Sequence, residues 1–300
     1  MPERFLPVVG SERPLPPPGP RPFDTIAIVG LGLIGGSIAL AARRQWPAGL
    51  VIGVDDKRVI EQAMVRQAID VAADDLVVIK EAELVVLAAP VEQNEARLAE
   101  LDAHVPGAAV VTDTGSTKRA VMAAAAALPS RFTFVGGHPL GGAARGGIEF
   151  ARADLFCGRP WLLTPASDAG GSVPERLQRF VEALGAIPQT IEAAAHDRLL
   201  ALVSHLPQIT VSALMQVVGE GAGEAGLALS GRGLRDTTRL ASSPAGIWKD
   251  VCRTNADEIG DAIDRLIALL GELKADLRRG QTLERVFAAA AAWKSRMPED

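Results

Sequence analysis

His138 is the residue of this sequence best suited to act as a general base. It stands in the stretch GGHPLGG at 136–142, directly after an apolar run at 132–136. A loop of glycines gives an imidazole little to pack against, so a purely structural role is the weaker interpretation. Histidine exchanges a proton near neutral pH. We therefore predict that His138 is catalytic and lies in a loop at the carboxyl rim of a sheet.

Ser116 is the second candidate on the same rim. It follows the apolar run 108–112 and begins a predicted helix at 116–128. Its hydroxyl fits a helix N-cap. It equally fits a group that orients His138, because residues that follow neighbouring parallel strands converge at one edge of the sheet. The spacing leaves both interpretations open.

Two further histidines fall on one predicted helix, 193–218. His196 and His205 are nine residues apart, which at about 100° per residue puts them on opposite faces. His196 stands at the helix start beside Asp197, and we interpret it as a capping or surface residue.

His205 begins a polar stripe on this otherwise apolar helix. Gln208 and Ser212 follow it at i+3 and i+7, which is the spacing of one helix face. The stripe fits the lining of a pocket, and a satisfied core histidine fits equally well. Pro207 should kink the helix here, because it has no N–H to bond to the carbonyl of Val203.

The stretch IAIVGLGLIGGSIALAARR at 26–44 has the order strand, glycine-rich turn, helix. Gly30 allows a tight turn, Gly32 lets the backbone approach a pyrophosphate, and Gly35 lets the helix pack closely on the strand. Amide groups at the helix start attract an anion. This pattern predicts a dinucleotide site. The predicted cofactor-binding residues are Gly30, Gly32, Leu33, Ile34, Gly35, Asp55, Ala89 and Pro90.

Asp55 bears on the choice of cofactor. It ends the second predicted strand, 50–54, where a carboxylate binds a ribose 2′-hydroxyl and repels the 2′-phosphate of NADP. NAD is therefore the predicted cofactor. Lys57 and Arg58 follow closely and weaken this preference, which keeps NADP possible.

Strand and helix patterns alternate from Phe23 to Ile191, which predicts an α/β, Rossmann-type domain over 23–192 with a mostly parallel, doubly wound sheet. The predicted strands are 25–29, 50–54, 83–88, 108–112, 132–136, 160–163 and 187–191, and the predicted helices include 57–67, 91–102, 116–128 and 173–184.

Strand patterns end near Glu192, and long helical runs follow. They predict an all-α domain over 193–300 that binds substrate and forms a homodimer through its apolar faces. The predicted helices are 193–218, 236–252, 254–278 and 281–295, with glycine-rich breaks at 219–226 and 231–233.

Composition excludes several classes of protein. Among 300 residues the formal net charge is −5, there is no tyrosine, and 4% of residues are aromatic, which disfavours binding to nucleic acid or to an anionic membrane. We find no apolar run of the ~20 residues that span a bilayer. Cys157 and Cys252 lie too far apart for a zinc motif, so no metal is predicted. We read the proline-rich segment 1–22 as a disordered or extended leader, and we expect a cytoplasmic protein.

These features together predict a nicotinamide-dependent oxidoreductase acting on a small anion. An enzyme of the β-hydroxyacid dehydrogenase type is one alternative, although such enzymes use a lysine on the first interdomain helix and 193–218 contains none. A non-enzymatic dinucleotide-binding protein is the other, although it would have no need of His138 and Ser116.

The sequence resembles the prephenate/arogenate dehydrogenase family of tyrosine biosynthesis over nearly all residues after 23. The resemblance rests on short motifs in the family's order. They are GLGLIGGS at 30–37, TDTGSTK at 112–118, GGHPLGG at 136–142, ADLF at 153–156, WLLTP at 161–165, SHLPQ at 204–208, GLRDTTRLA at 233–241 and IWKD at 247–250.

This resemblance implies oxidative decarboxylation of prephenate or arogenate with NAD(P)+. His138 matches the family's catalytic histidine, and Ser116 matches the serine that hydrogen-bonds it. Arg239 matches an arginine that holds a substrate carboxylate, and His205 matches a histidine at the pocket. A Rossmann-type domain followed by a helical dimerisation domain is the expected fold.

Two departures from the family pattern concern the substrate. Many members carry a second histidine where this chain has Gln208, and an acidic residue where it has Ala144, followed by Arg145. We expect Gln208 and Arg145 to contact substrate, and their presence leaves the choice between prephenate, arogenate and a related acid open.

Overall fold

The computed structural model describes residues 13–142, 145–166 and 173–297. Backbone contacts divide the chain into two compact units. The first contains Met1–Asp197 and Ser243–Thr254, and the second contains Arg198–Ser242 and Asn255–Asp300. The contacts thus assign the segment 243–254 to the first unit, although it follows part of the second unit in the sequence. The domain bounds 23–192 and 193–300 stay a prediction.

The first unit is built on an eight-stranded sheet with the order β3-β2-β1-β4-β5-β6-β7-β8. Neighbouring strands are parallel except for the antiparallel pair β6–β7. This order confirms the mostly parallel, doubly wound sheet. The strands are β1 Thr25–Val29, β2 Leu50–Val54, β3 Val71–Ala73, β4 Leu84–Leu87, β5 Ala109–Asp113, β6 Phe132–Pro139, β7 Pro160–Pro165 and β8 Ile187–Thr190.

Both faces of the sheet are buried, which explains the unbroken apolar runs of the sequence. In β1, Ile26 and Ile28 belong to one core cluster, and Ala27 and Val29 belong to another. Alternate residues of a strand point to opposite faces, so each cluster covers one face. Only β3 was not predicted, because its three residues are at most half-buried and form an apolar run too short to indicate a strand.

Helices cover these faces and continue into the second unit. They are α1 Leu33–Gln45, α2 Lys57–Val65, α3 Val91–His104, α4 Arg119–Ala125, α5 Glu175–Ala183, α6 Ala193–Leu200, α7 Leu206–Ala228, α8 Arg232–Thr237, α9 Ala245–Thr254, α10 Ala256–Asp276 and α11 Gln281–Lys294. A short 3₁₀ helix spans Arg239–Ser242.

The second unit is helical, as predicted, but its breaks differ from the prediction. The glycine-rich segment 219–226 lies inside α7, and only Gly223 leaves the helical conformation, with φ 62° and ψ −176°. The helix predicted at 236–252 is wrong, since α8 ends at Thr237 and α9 begins at Ala245. Glycine weakens a helix by about 1 kcal/mol per residue without having to end it.

A π-helical turn over Ala201–His205 joins α6 to α7. The irregularity predicted from Pro207 therefore occurs in the turn directly before it. Proline has no N–H to offer the carbonyl four residues earlier, and a π turn changes the hydrogen-bond spacing at such a point.

The continuous helix Ala193–Ala228 is long and apolar enough, by length and composition alone, to cross a membrane, and 17% of its apolar window is buried. The helix is not an uninterrupted apolar run, because polar residues such as His205, Gln208 and Ser212 lie within it. Helices with exposed apolar faces also pack against other proteins.

Residues 13–22 are extended and anchored to the first unit. The Arg13 backbone N–H donates to Asp154 Oδ2 at 2.7 Å, Gln45 Nε2 donates to the Pro16 carbonyl at 3.0 Å, and Trp46 Nε1 donates to the Gly19 carbonyl at 3.1 Å. Residues 13–22 therefore have fixed hydrogen-bond partners in the first unit, and the assignment of the whole segment 1–22 stays a prediction. Residues 1–12 lie outside the described residues.

Asp154 should stabilise this anchored segment in a pH-dependent way. Hydrogen bonds from Arg152 at 2.6 and 2.5 Å lower the pKa of Asp154 to about 2. Because the folded pKa lies below the unfolded value of about 3.9, the stabilisation is complete above about pH 4 and is lost as the pH falls to about 2. We expect Asp154→Asn to lower the free energy of unfolding at pH 7 by about 2 kcal/mol.

Urea unfolding at several pH values measures this difference. Asp24→Asn is the control, since the Asp24 side chain is 70% exposed beside Arg21 and exposed pairs contribute less than about 1 kcal/mol. Equal losses for both variants, or a loss at Asp154 that persists at pH 2, would contradict the assignment.

Candidate active site

The glycine-rich turn between β1 and α1 has the geometry that the sequence predicts. Gly30 has φ 95°, and a Cβ atom on Gly35 would lie 1.8 Å from the Gly30 carbonyl oxygen. The Gly30 N–H donates to the Val54 carbonyl at 2.8 Å. The turn is therefore held against β2 at a position where only glycine fits.

A cavity of about 830 Å³ opens at this turn, and it is lined by Gly30, Gly32, Asp55, Ala89 and Pro90. Five of the eight predicted cofactor residues thus come together at one site. A Cβ atom on Gly32 would meet no protein atom within 4 Å, so free space adjoins the backbone where a pyrophosphate would approach. A dinucleotide fits this cradle.

Leu33 and Ile34 are not among the residues that line the cavity. Both lie in the first turn of α1 and pack partly buried against the core. Their part in cofactor binding stays a prediction.

Asp55 is fixed by the same turn. Its Oδ2 accepts the Leu31 N–H at 2.5 Å, and its Oδ1 accepts the Asp56 N–H at 2.7 Å. Lys57, Arg58 and Arg97 line the same cavity. Asp55 and the two basic residues anticipated from the sequence, Lys57 and Arg58, are therefore present at the site, and Arg97 is an additional basic residue there.

His138 lies in β6 and not in a loop after it. The strand continues to Pro139 because β7 pairs with it antiparallel, with His138 opposite Leu162. The prediction of a loop is wrong, since the glycines at 136 and 137 are buried in the sheet and a Cβ on Gly137 would lie 2.4 Å from the Asp113 carbonyl oxygen. The imidazole is half-buried at the end of this strand.

His196 contacts His138, which the sequence did not predict. His138 Nδ1 lies 2.9 Å from His196 Nε2, and His196 Nδ1 lies 2.8 Å from Asp197 Oδ1. Both His196 and Asp197 are fully buried. The interpretation of His196 as a capping or surface residue is therefore wrong. The sequence feature that could have indicated a buried role is the adjacent imidazole and carboxylate inside the mostly apolar stretch AAAHDRLL.

Asp197 also caps helix α4. Its Oδ1 accepts the Lys118 N–H at 2.7 Å, and its Oδ2 accepts the Arg119 N–H at 2.9 Å. Burial raises the pKa of Asp197, but the hydrogen bonds from His196 and from the two backbone N–H groups outweigh it and hold the pKa below its usual value. Burial lowers the pKa of His196, and the bond to Asp197 opposes this only in part.

A buried ion pair lies beside this chain of residues. Lys118 Nζ contacts Asp113 Oδ2 at 2.5 Å, with side-chain exposures of 0% and 1%. Burial lowers the pKa of Lys118, and Asp113 opposes that shift. Asp113 also accepts the N–H groups of Gly115 and Gly137, so one carboxylate holds the backbone next to both Ser116 and His138.

Ser116 is half-buried in the loop between β5 and α4. The N-cap of α4 is Lys118, whose side chain makes no capping bond, so the N-cap interpretation of Ser116 is wrong. Within the described part of the chain its hydroxyl makes no hydrogen bond, and its role stays a prediction.

The second unit contains three of the predicted substrate residues. His205 is buried, with Nδ1 3.3 Å from Asn255 Nδ2. Gln208 is also buried, and its Nε2 donates to the Leu240 carbonyl at 2.8 Å and to Ser212 Oγ at 3.2 Å. Gln208 thereby ties α7 to the 3₁₀ turn that begins with Arg239, an exposed residue.

Arg145 is exposed and lies over the Phe150 ring, with 5.8 Å from its Cζ atom to the ring centre. Ala144, the other departure from the family pattern, lies outside the described residues. The part that Arg145 plays toward substrate stays a prediction.

A Rossmann-type sheet with a glycine-rich dinucleotide cradle and a histidine at a strand end defines the class of dinucleotide-dependent dehydrogenases. Residues 38–188 match the nucleotide-binding domain of prephenate dehydrogenase, and residues 192–289 match its dimerization domain. The chain belongs to the prephenate dehydrogenase family, which confirms the resemblance and the order of the two folds.

Individual relatives agree with this assignment. Prephenate dehydrogenase of Bacillus subtilis is 34% identical over 92% of this chain and 76% of its own length. Synechocystis arogenate dehydrogenase has a TM-score of 0.75 at 31% identity, covering 91% of this chain and 99% of that one. The A. aeolicus prephenate dehydrogenase complex with hydroxyphenyl propionate and NAD+ has a TM-score of 0.81 at 28% identity, covering 91% and 97%.

The two glycines of the turn should respond differently to the same substitution. Gly35→Ala places a methyl group against the Gly30 carbonyl, and we expect it to lower stability by about 1–3 kcal/mol. Gly32→Ala meets only open space, so we expect normal stability and dinucleotide binding weakened at least tenfold. Thermal unfolding and fluorescence titration with NADH measure the two effects, and unchanged NADH binding by Gly32→Ala would contradict the cradle.

Proposed function

We propose that this protein catalyses the NAD-dependent oxidative decarboxylation of prephenate or arogenate, with His138 as the general base. The observation that carries the proposal is a half-buried histidine bonded to a buried His–Asp pair, in a chain whose two halves match both domains of the family. The relatives named above act on prephenate and on arogenate, which makes these two acids the candidate substrates.

Bound NAD+ supplies the hydride acceptor. His138 takes the proton of the hydroxyl group as hydride leaves the same ring carbon and a carbonyl forms. The bond from the ring to its carboxylate then breaks, carbon dioxide leaves, and its electron pair moves through the ring to the oxygen. His138 returns the proton to that oxygen, so the enzyme gains none. Formation of the aromatic ring makes the reaction strongly downhill, and alignment and proton acceptance are the enzyme's main tasks.

Other residues hold the substrate in this proposal. Ser116 hydrogen-bonds the reacting hydroxyl group and His138. Arg239 binds a substrate carboxylate through its planar guanidinium, and His205 and Gln208 shape the pocket. These roles rest on the family motifs that the sequence carries, together with the buried positions of His205 and Gln208.

NAD is the cofactor that the site favours. The Asp55 carboxylate is fixed at the glycine-rich turn, where it binds a 2′-hydroxyl and repels a 2′-phosphate. The A. aeolicus relative was solved with NAD+. Lys57 and Arg58 allow a weaker use of NADP. A cytoplasmic location follows from a soluble biosynthetic role and stays part of this proposal.

The decisive experiment is NADH or NADPH production from prephenate and from arogenate, each with NAD+ and with NADP+. We expect turnover with at least one of the two acids, and faster turnover with NAD+ than with NADP+. Absence of turnover in all four mixtures would overturn the proposed function.

His138→Asn tests the base within the same assay. We expect kcat to fall by about 10²-fold or more, the scale of a lost general base, with little change in KM. A fall smaller than tenfold would remove His138 from this role.

Arg239→Gln tests the carboxylate site. Removal of a charged partner should raise KM for the better substrate by about tenfold or more, since such bonds contribute about 1.5–3 kcal/mol. Arg235→Gln is the matched control, because Arg235 is exposed, lies four residues away and has no assigned role. Equal effects of the two substitutions would argue against a specific role for Arg239.

A homodimer completes the proposal. The second unit exposes large apolar side chains, including Val217 at 70%, Phe287 at 66% and Trp293 at 68%, and it matches a dimerization domain. A second copy of the chain would cover such a surface. We expect sedimentation at micromolar concentration to give twice the chain mass of 31.4 kDa, and a monomer would contradict the dimer.

A further inference from the structure

We propose that His196 and Asp197 are positioning residues that fix His138 in one tautomer, with the proton on Nδ1 and the lone pair on Nε2. Nothing in the sequence motifs assigned a role to this pair. The importance of the tautomer for turnover rests on the proposed function, whereas the tautomer itself follows from hydrogen bonding and is measurable without substrate.

Asp197, as a carboxylate, can only accept hydrogen bonds. Oδ1 accepts the Lys118 N–H and faces His196 Nδ1 at 2.8 Å. Oδ2 accepts the backbone N–H of Arg119 at 2.9 Å and its Nε–H at 3.3 Å. Both oxygens accept backbone N–H groups, and these bonds together with the His196 contact hold the pKa of Asp197 below its usual value, so the side chain is a carboxylate. His196 Nδ1 is therefore a donor.

The direction of the next bond follows from the charge of His196. This side chain is fully buried, and both burial and the nearby Lys118 ammonium lower its pKa. A neutral imidazole carries one proton, and in His196 that proton is on Nδ1. Its Nε2 therefore holds a lone pair.

His138 must donate to that lone pair. The two nitrogens are 2.9 Å apart, which is a normal hydrogen-bond distance, and two lone pairs cannot form the bond. Neutral His138 thus carries its proton on Nδ1, and its Nε2 is the acceptor. A general base needs this form, because a protonated Nε2 could not take a hydroxyl proton.

The same chain stabilises the charged state of His138. When Nε2 gains a proton, the Nδ1–H still donates to His196, and the negative charge of Asp197 lies one imidazole further on. No proton needs to move to His196. A carboxylate that orients a catalytic histidine acts in this way in serine proteases, although here a second imidazole stands between the two.

Nitrogen NMR of the whole protein tests the proposal directly. The chain has four histidines, and long-range proton–nitrogen spectra distinguish a protonated ring nitrogen from a bare one. Spectra of His104→Asn and His138→Asn help to assign the signals, and His104→Asn should leave the signals of His138 unchanged. At a pH of about 8, where histidines are neutral, we expect His138 and His196 to be protonated on Nδ1. A wild-type His138 protonated on Nε2 would overturn the proposal.

Asp197→Asn should reverse both tautomers. Its single oxygen is best used toward the two donors of Arg119, which leaves the amide N–H₂ facing His196 Nδ1 and leaves the Lys118 N–H without its acceptor. His196 would then move its proton to Nε2 and donate to His138 Nδ1. We expect His138 to become protonated on Nε2, with kcat lowered by about 10²–10⁴-fold and KM changed by less than about threefold. A variant with kcat within twofold of the wild type would contradict the proposal.

His196→Gln provides a second test if Asp197→Asn fails to fold. The glutamine carbonyl can accept the His138 Nδ1–H, so we expect the tautomer to be retained and kcat to fall by less than about tenfold. Loss of the Nδ1–H form in this variant, or the wrong form in the wild type, overturns the inference. A correct tautomer without turnover on either acid would overturn the proposed function alone.

Discussion

The proposed active site depends on the hydrogen bonds that the carboxylate of Asp197 accepts. It supplies the N-terminal cap of α4 and the acceptor for His196 at the same time. Helix starts leave N–H groups that must find partners, and this helix obtains one from a residue 78 positions further along the chain. The position of Lys118 and the orientation of His138 are thereby fixed by one side chain. One side chain thus serves both the fold of the first unit and the proposed chemistry at the rim of its sheet.

Burial makes this arrangement sensitive to change. Asp113, Lys118, His196 and Asp197 are all buried, and each has a polar partner. An ionised group without its partner costs several kcal/mol in such surroundings. Loss of one side chain therefore leaves its buried partners without a hydrogen bond, and the changes in stability caused by substitutions within the group should not be additive. A rigid network of this kind holds an imidazole more tightly than a surface loop could.

Sequence reasoning succeeded where the information is local. The turn at Gly30 and Gly35 needs residues without a side chain, the alternation of β1 between two cores gives an apolar run, and a strand followed by Asp55 has a recognisable spacing. It failed where partners are distant. The strand position of His138 depends on pairing with Leu162. No periodicity in β6 or β7 indicates that the two strands pair antiparallel in an otherwise parallel sheet.

His196 shows why residues that the sequence does not assign are concentrated at the candidate site. Helical periodicity put it opposite His205, and the contact division assigns His196 to the first unit and His205 to the second. Its position at a helix start beside Asp197 is typical of a capping or surface residue, yet the side chain is fully buried. A fully buried imidazole and carboxylate are tolerated only because two backbone N–H groups from α4 and the ring of His138 satisfy them. The information needed to assign His196 is thus the identity of its partners, and those partners lie 58 and 78 residues away.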